Sequence, residues 1–189
     1  MFLTNIKFQV TEKLENKLNK KIKIGILGGT FDPAHRGHLA ISKEAHKKFA
    51  LKSIIWAITN QNPFKKKTSK NLNERINYCR RIIRNNKFIK VKYFEDLINS
   101  NKTTDLIDYL YKTRKYELFF LIGADNLIKF HKWHKFKNIL KKSKLIVFDR
   151  HGYKKSSLNS KTYKNYDKKT VTFVEFNKVN ISSSQLRKI

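Results

Sequence analysis

The chain has 189 residues and a formal net charge of +29, from 43 Lys and Arg against 14 Asp and Glu. Hydrophobic residues make up 40%, with 14 Phe and 8 Tyr, which excludes a disordered polymer and supports one packed domain. A single cysteine, Cys79, excludes a disulfide framework or a cysteine metal site within the chain and fits a reducing cytoplasm; no apolar run approaches the ~20 residues of a membrane span.

Residues 1–21 read as an N-terminal extension ahead of a domain over 22–189. Val10, Leu14 and Leu18 at helical spacing predict a short amphipathic helix, and Glu12 and Glu15 argue against a signal peptide. Strand-length apolar runs then recur at Ile22–Leu27, Ile54–Ile58, Ile89–Tyr93, Leu118–Ile122, Leu145–Phe148 and Val171–Phe176. Leu106, Ile107, Leu110 and Tyr111 trace one helix face before the fourth run, and Trp133, Phe136 and Leu140 another before the fifth. Alternation of strands and helices predicts an α/β fold, a single Rossmann-like doubly wound parallel sheet flanked by helices, with ligands at the carboxyl ends of the strands. His151–Lys169 has no apolar period and reads as an exposed excursion.

The first strand runs into IGILGGTFDPAHRGH, Ile24–His38. Backbone N–H groups at Gly28, Gly29 and Thr30 can approach an anion closely, and a helix opening near Arg36–Gly37 aims its positive end at the same place. His35 and His38, three residues apart, share a helix face and can donate to phosphate oxygens together; the bland alternative is a tight turn. The sequence Gly25–Gly29 is not a GxGxxG fingerprint and no acidic residue closes the second strand, which argues against a dehydrogenase.

Four segments carry a family resemblance. Ile24–His38 resembles the G-[ST]-F-D-P-x-H-x-G-H segment of the nucleotidyltransferase superfamily, and its double glycine with His35-Arg36-Gly37-His38 most resembles the bacterial nicotinate-nucleotide adenylyltransferases. Ile181–Arg187 (ISSSQLR) is similar to ISSTxIR, Gly123-Ala124-Asp125 with Trp133 to GxD…W, and Arg150–Tyr153 (RHGY) to RPGY with His151 in place of proline. The resemblance implies transfer of AMP from ATP to nicotinic acid mononucleotide, giving nicotinic acid adenine dinucleotide and pyrophosphate in NAD biosynthesis. Magnesium enters with ATP.

In these terms His35, His38, Lys65 and Arg187 are the catalytic candidates. ATP falls to Gly28, Gly29, Thr30, Phe31, His35, His38, Ser182, Ser183, Ser184 and Arg187. Nicotinate mononucleotide falls to Thr30, Phe31, Lys65, Thr103, Thr104, Asp125, Trp133 and Arg150. Competing structural readings exist: Lys65 in a solvated lysine run, Asp125 as a helix N-cap, Trp133 as core, and Ser183 as a cap. Arg75 reads as a structural cap or surface charge, and His131 with His134 as solvated helix residues. No metal site is expected. Rival acceptors are nicotinamide mononucleotide and phosphopantetheine. A basic nucleic-acid-binding module is the rival of another class, but the lysines are spread evenly rather than gathered in a stripe, so neither nucleic acid nor membrane is expected as a partner. Oligomeric state stays open.

Overall fold

The structure, a computed structural model, describes residues 21–61 and 68–176. Among these, the strands are β1 (Ile22–Gly29), β2 (Ser53–Ile58), β3 (Ile89–Tyr93), β4 (Tyr116–Gly123), β5 (Ser143–Phe148) and β6 (Val171–Val174). They pair in parallel throughout, in the order β3-β2-β1-β4-β5-β6. The helices are α1 (Arg36–Phe49), α2 (Leu72–Ile82), α3 (Glu95–Ile98), α4 (Thr103–Lys112), α5 (Ala124–Leu127), α6 (Phe136–Lys142), α7 (Lys154–Leu158) and α8 (Lys161–Asn165), with a 3-10 turn at Phe130–Lys132. The predicted doubly wound sheet is the fold observed.

The inner strands β1, β2, β4 and β5 are buried on both faces and need no polar side, which is why the sequence shows near-continuous apolar runs there, whereas the edge strand β3 alternates with the exposed Lys90 and Lys92. Their period of two still sorts the side chains. Leu118, Phe120 and Ile122 of β4 join Leu145 and Val147 of β5 against Ile107 and Leu110 of α4 and Ile139 and Leu140 of α6. Phe119 and Leu121 with Ile146 and Phe148 turn the other way, into a core with Trp56, Ala45 of α1 and Cys79 of α2. Burial pushes the Cys79 thiol up to about 12, so the lone cysteine is a core residue held as the neutral thiol. Among the described residues no helix is long and apolar enough to cross a membrane.

Three local expectations are corrected. Tyr111 does not face the core with Ile107 and Leu110; it is 41% exposed, with the Lys142 ammonium 5.8 Å from its ring centroid. Trp133 does not share a helix with Phe136: the 3-10 turn ends there, Lys135 adopts a left-handed conformation (φ 47°), and α6 starts afresh. His151–Lys169 is not an open excursion but contains α7 and α8, which bury Ser157, Ser160 and Thr162. The Ser160 hydroxyl caps α8 by accepting from the Tyr163 N–H at 3.3 Å, and Tyr163 packs edge-on against Phe173. Small hydroxyl residues fill the space here, so no aliphatic period announces the helices. The predicted helix near Val10 lies outside the described residues.

Candidate active site

The chain runs from β1 outward to β2 and β3, then returns past β1 to lay down β4. The carboxyl ends of β1 and β4 therefore diverge into a crevice, the place where open α/β sheets bind ligands. A cleft of about 710 Å³ lies there, lined by Gly28 and Gly29 at the end of β1, Thr30 and Phe31 after it, Thr59 after β2, Ile122 and Gly123 of β4, and Asp149 and Arg150 after β5.

One wall is formed by the end of β1 and the loop that follows it. Gly28 and Gly29 end β1 in register with Ala57 and Ile58, and both line the cleft. A Cβ added to Gly28 or Gly29 would meet no heavy atom closer than 3.5 Å, so a longer side chain at either would extend into the cleft they line. Phe31 follows in a left-handed conformation (φ 48°), rare for a residue with a Cβ. Its ring is 1% exposed, stacks on Trp56 at 4.9 Å and lies 4.7 Å from the His38 ring. Packing thus compensates the local strain. Trp56 Nε1 donates to Ser42 Oγ and Ser42 Oγ to His38 O, both at 2.8 Å, anchoring the first turn of α1 to the sheet.

His35 is the N-cap of α1, and His38 stands three residues on. The Gly37 N–H donates to His35 Nδ1 at 3.1 Å, and the His35 N–H donates to His38 Nδ1 at 3.2 Å. This is a reciprocal capping box with imidazole in place of the usual hydroxyl and carboxylate. A ring nitrogen that accepts carries no proton, so each ring holds its hydrogen on Nε2 and can donate from that edge. The rings lie 3.9 Å apart and both line the cleft.

The opposite wall is assembled from the second half of the sheet. Arg150 Nη1 donates to Asp125 Oδ2 at 2.7 Å, and the guanidinium carbon sits 5.7 Å from the centroid of the Tyr153 ring. Asp125 makes no cap: α5 begins with Gly123 at the N-cap position and has no side-chain capping bond. A Cβ on Gly123 would fall 2.6 Å from Asp125 Oδ1, so glycine is what lets that carboxylate fold back toward Arg150. Trp133 is half-buried against Phe130 (5.2 Å) and Phe120 (6.1 Å) while also lining the cleft, so its core and pocket readings hold together. Thr103, the first residue of α4, reaches the cleft; the Thr104 side chain does not, being 1% exposed with its hydroxyl accepting from Asn138 Nδ2 at 3.1 Å.

Of the sequence-selected residues, Gly28, Gly29, Thr30, Phe31, His35, His38, Thr103, Asp125, Trp133 and Arg150 thus surround one cleft. Lys65, Ser182, Ser183, Ser184 and Arg187 lie outside the described residues. His134 lines the cleft although it reads from sequence as a solvated helix residue, and so do Phe94, Lys102, Asp149 and Phe176, which carry no motif. Arg75 is no surface charge: it is 1% exposed, and burial lowers its pKa from the ordinary arginine value while Asp32 and Glu95 oppose the shift. Among the described residues no group of three or more His, Cys, Asp or Glu is arranged to hold a metal ion.

A glycine-ended first strand, paired histidines at a helix start and a cleft at the sheet's switch point are the arrangement that the resemblance to nucleotidyltransferases predicts. The cytidylyltransferase-like family matches residues 26–189. "Probable nicotinate-nucleotide adenylyltransferase" of Pelagibacter ubique (strain HTCC1062) is 61% identical over 178 residues, covering 94% of this chain and 99% of that protein. Among solved structures, Plasmodium falciparum nicotinic acid mononucleotide adenylyltransferase complexed with APC superposes with a TM-score of 0.71 at 23% identity, covering 88% of this chain and 82% of that one. The same enzyme complexed with NaAD gives 0.71 over 89% and 83%. At that identity the likeness carries the fold. The chain belongs to the nicotinate-nucleotide adenylyltransferase family.

Proposed function

We propose that this chain transfers the AMP unit of ATP to the 5′-phosphate of nicotinic acid mononucleotide, releasing pyrophosphate and nicotinic acid adenine dinucleotide. The acceptor phosphate oxygen bonds to the α-phosphorus of ATP as the bond to the β-phosphate bridge breaks. The attacking phosphate is already mostly dianionic at neutral pH, with a second pKa near ~6, so no general base is required. What the reaction requires is in-line placement and neutralisation of charge on the moving phosphoryl group and departing pyrophosphate.

The observation that carries this reading is the shared cleft: two imidazoles whose Nδ1 atoms accept backbone N–H groups on one wall, and Trp133 with the Asp125–Arg150 pair on the other. His38 and His35 serve as preorganised donors to the triphosphate beside Gly28, Gly29, Thr30 and Phe31. Trp133 stacks on the pyridine ring, and Thr103 at the opening of α4 and Arg150 flank it. Lys65, Ser182, Ser183, Ser184 and Arg187 complete the phosphate contacts in this proposal. ATP enters as its magnesium complex, the ion held mainly by phosphate and water oxygens. We place the reaction in the cytoplasm.

Pyrophosphate release is measured with magnesium-ATP and, separately, nicotinic acid mononucleotide, nicotinamide mononucleotide and phosphopantetheine. The expected result is turnover with the first at a kcat/KM at least ~10-fold above the others, the scale of a buried polar group recognised or left unpaired. Folded protein that turns over none of the three would refute adenylyl transfer, and preference for the amide would overturn the acid assignment.

A further inference from the structure

One buried cation takes no part in the chemistry outlined above. Arg75, near the start of α2, is 1% exposed and lies behind the cleft instead of lining it. Its guanidinium donates to four backbone carbonyls: Nη1 to Thr30 O at 2.6 Å and to Thr59 O at 2.8 Å, Nη2 to Asn60 O at 2.9 Å, and Nε to Lys70 O at 3.1 Å. Thr30 follows β1, whereas Thr59 and Asn60 follow β2. A single side chain therefore ties together the exits of two adjacent strands and the approach to its own helix. From the cleft side Glu95 meets the same backbone, accepting from the Thr59 hydroxyl and from the Asn60 N–H at 3.2 Å.

We propose that Arg75 is a positioning residue for adenylyl transfer: it fixes the spacing between the Thr30 edge, which leads into Phe31 and the His35–His38 pair, and the Thr59–Asn60 edge. The proposal rests on the reaction assigned under Proposed function. The requirement is for a guanidinium specifically. Its planar fork directs donors along several fixed lines, whereas an ammonium is a point charge that cannot span carbonyls on two strand exits and a third loop. A shift of ~1 Å in groups that meet the transition state can cost about 10²-fold in rate. Ground-state binding, spread over many contacts, is less sensitive.

Arg75→Lys and Arg75→Gln test this. Each is checked for folding by far-UV circular dichroism and thermal melting, then assayed for pyrophosphate release well below its melting temperature. We expect kcat to fall by about 10- to 100-fold in both, while each KM stays within about threefold. Lysine should rescue little despite keeping the charge. A folded Arg75→Lys with wild-type kcat, or a loss confined to KM, would overturn the proposal. Amide hydrogen exchange on the wild-type chain supplies a readout independent of both folding of the variants and activity. Segments 29–34 and 57–61 should show protection within about tenfold of each other, because one side chain holds both. Protection differing by ~100-fold or more would overturn the shared tether. Wild-type protein that releases no pyrophosphate would instead refute the reaction, with the exchange result still deciding whether Arg75 couples the two edges.

Discussion

His38 has two duties in one ring under the proposed reaction: Nδ1 closes the start of α1, and Nε2 is the donor assigned to the triphosphate. His38→Ala should lower kcat by about 10²-fold or more, the scale of losing one transition-state donor, with a smaller loss of stability from the broken cap. Initial rates with magnesium-ATP and nicotinic acid mononucleotide check this, and a near-wild-type rate would reduce the residue to a helix cap. The pairing of His35 with His38 was legible in the sequence because the spacing places both on one helix face. That each Nδ1 accepts a backbone N–H of the helix start, His35 from Gly37 and His38 from His35, was not, since it depends on the N-cap φ of −149° that brings His35 back over its own helix. The surface-charge alternative for Arg75 failed for a related reason. An arginine in a polar helix pattern looks solvated, and only the convergence of β1 and β2 on it reveals the carbonyls that hold it inside.

Elements were legible wherever both faces of a strand are apolar or a helix repeats aliphatic residues. They failed where other chemistry does the same work: hydroxyl residues under α7 and α8, and a left-handed lysine between Trp133 and α6. A second left-handed residue offers a test of helix design. Ala50 ends α1 at φ 50°, is exposed, and donates its N–H to His46 O. Glycine is the usual residue at such a stop, since a Cβ there costs ~1–2 kcal/mol. Ala50→Gly should therefore stabilise the protein despite glycine's greater unfolded-state entropy, by a net ~0.5–1 kcal/mol. Differential scanning calorimetry should show the melting temperature rising by about 1–3 °C. A decrease would mean that the entropy of the unfolded chain outweighs the relieved strain.

At the scale of the whole molecule, a net charge of +29 surrounds a site meant for polyanions. Long-range attraction is screened over about 10 Å at 0.1 M salt, whereas donors inside the cleft act at contact. KM for ATP should accordingly rise several-fold between ~50 and ~300 mM salt while kcat changes little, as initial-rate kinetics across that range will show. A flat KM would make the surface charge irrelevant to substrate capture. The interior cation works through bond polarity instead of surface potential. A trans peptide holds its carbonyl and the next residue's N–H on opposite edges of one plane. By drawing the Thr30 and Thr59 oxygens toward itself, Arg75 turns the partner hydrogens of those planes, on Phe31 and Asn60, away from its own guanidinium; Glu95 already receives the one on Asn60. A positive charge sealed inside the fold thus turns its neighbours' dipoles outward, and so can favour an anion it never touches.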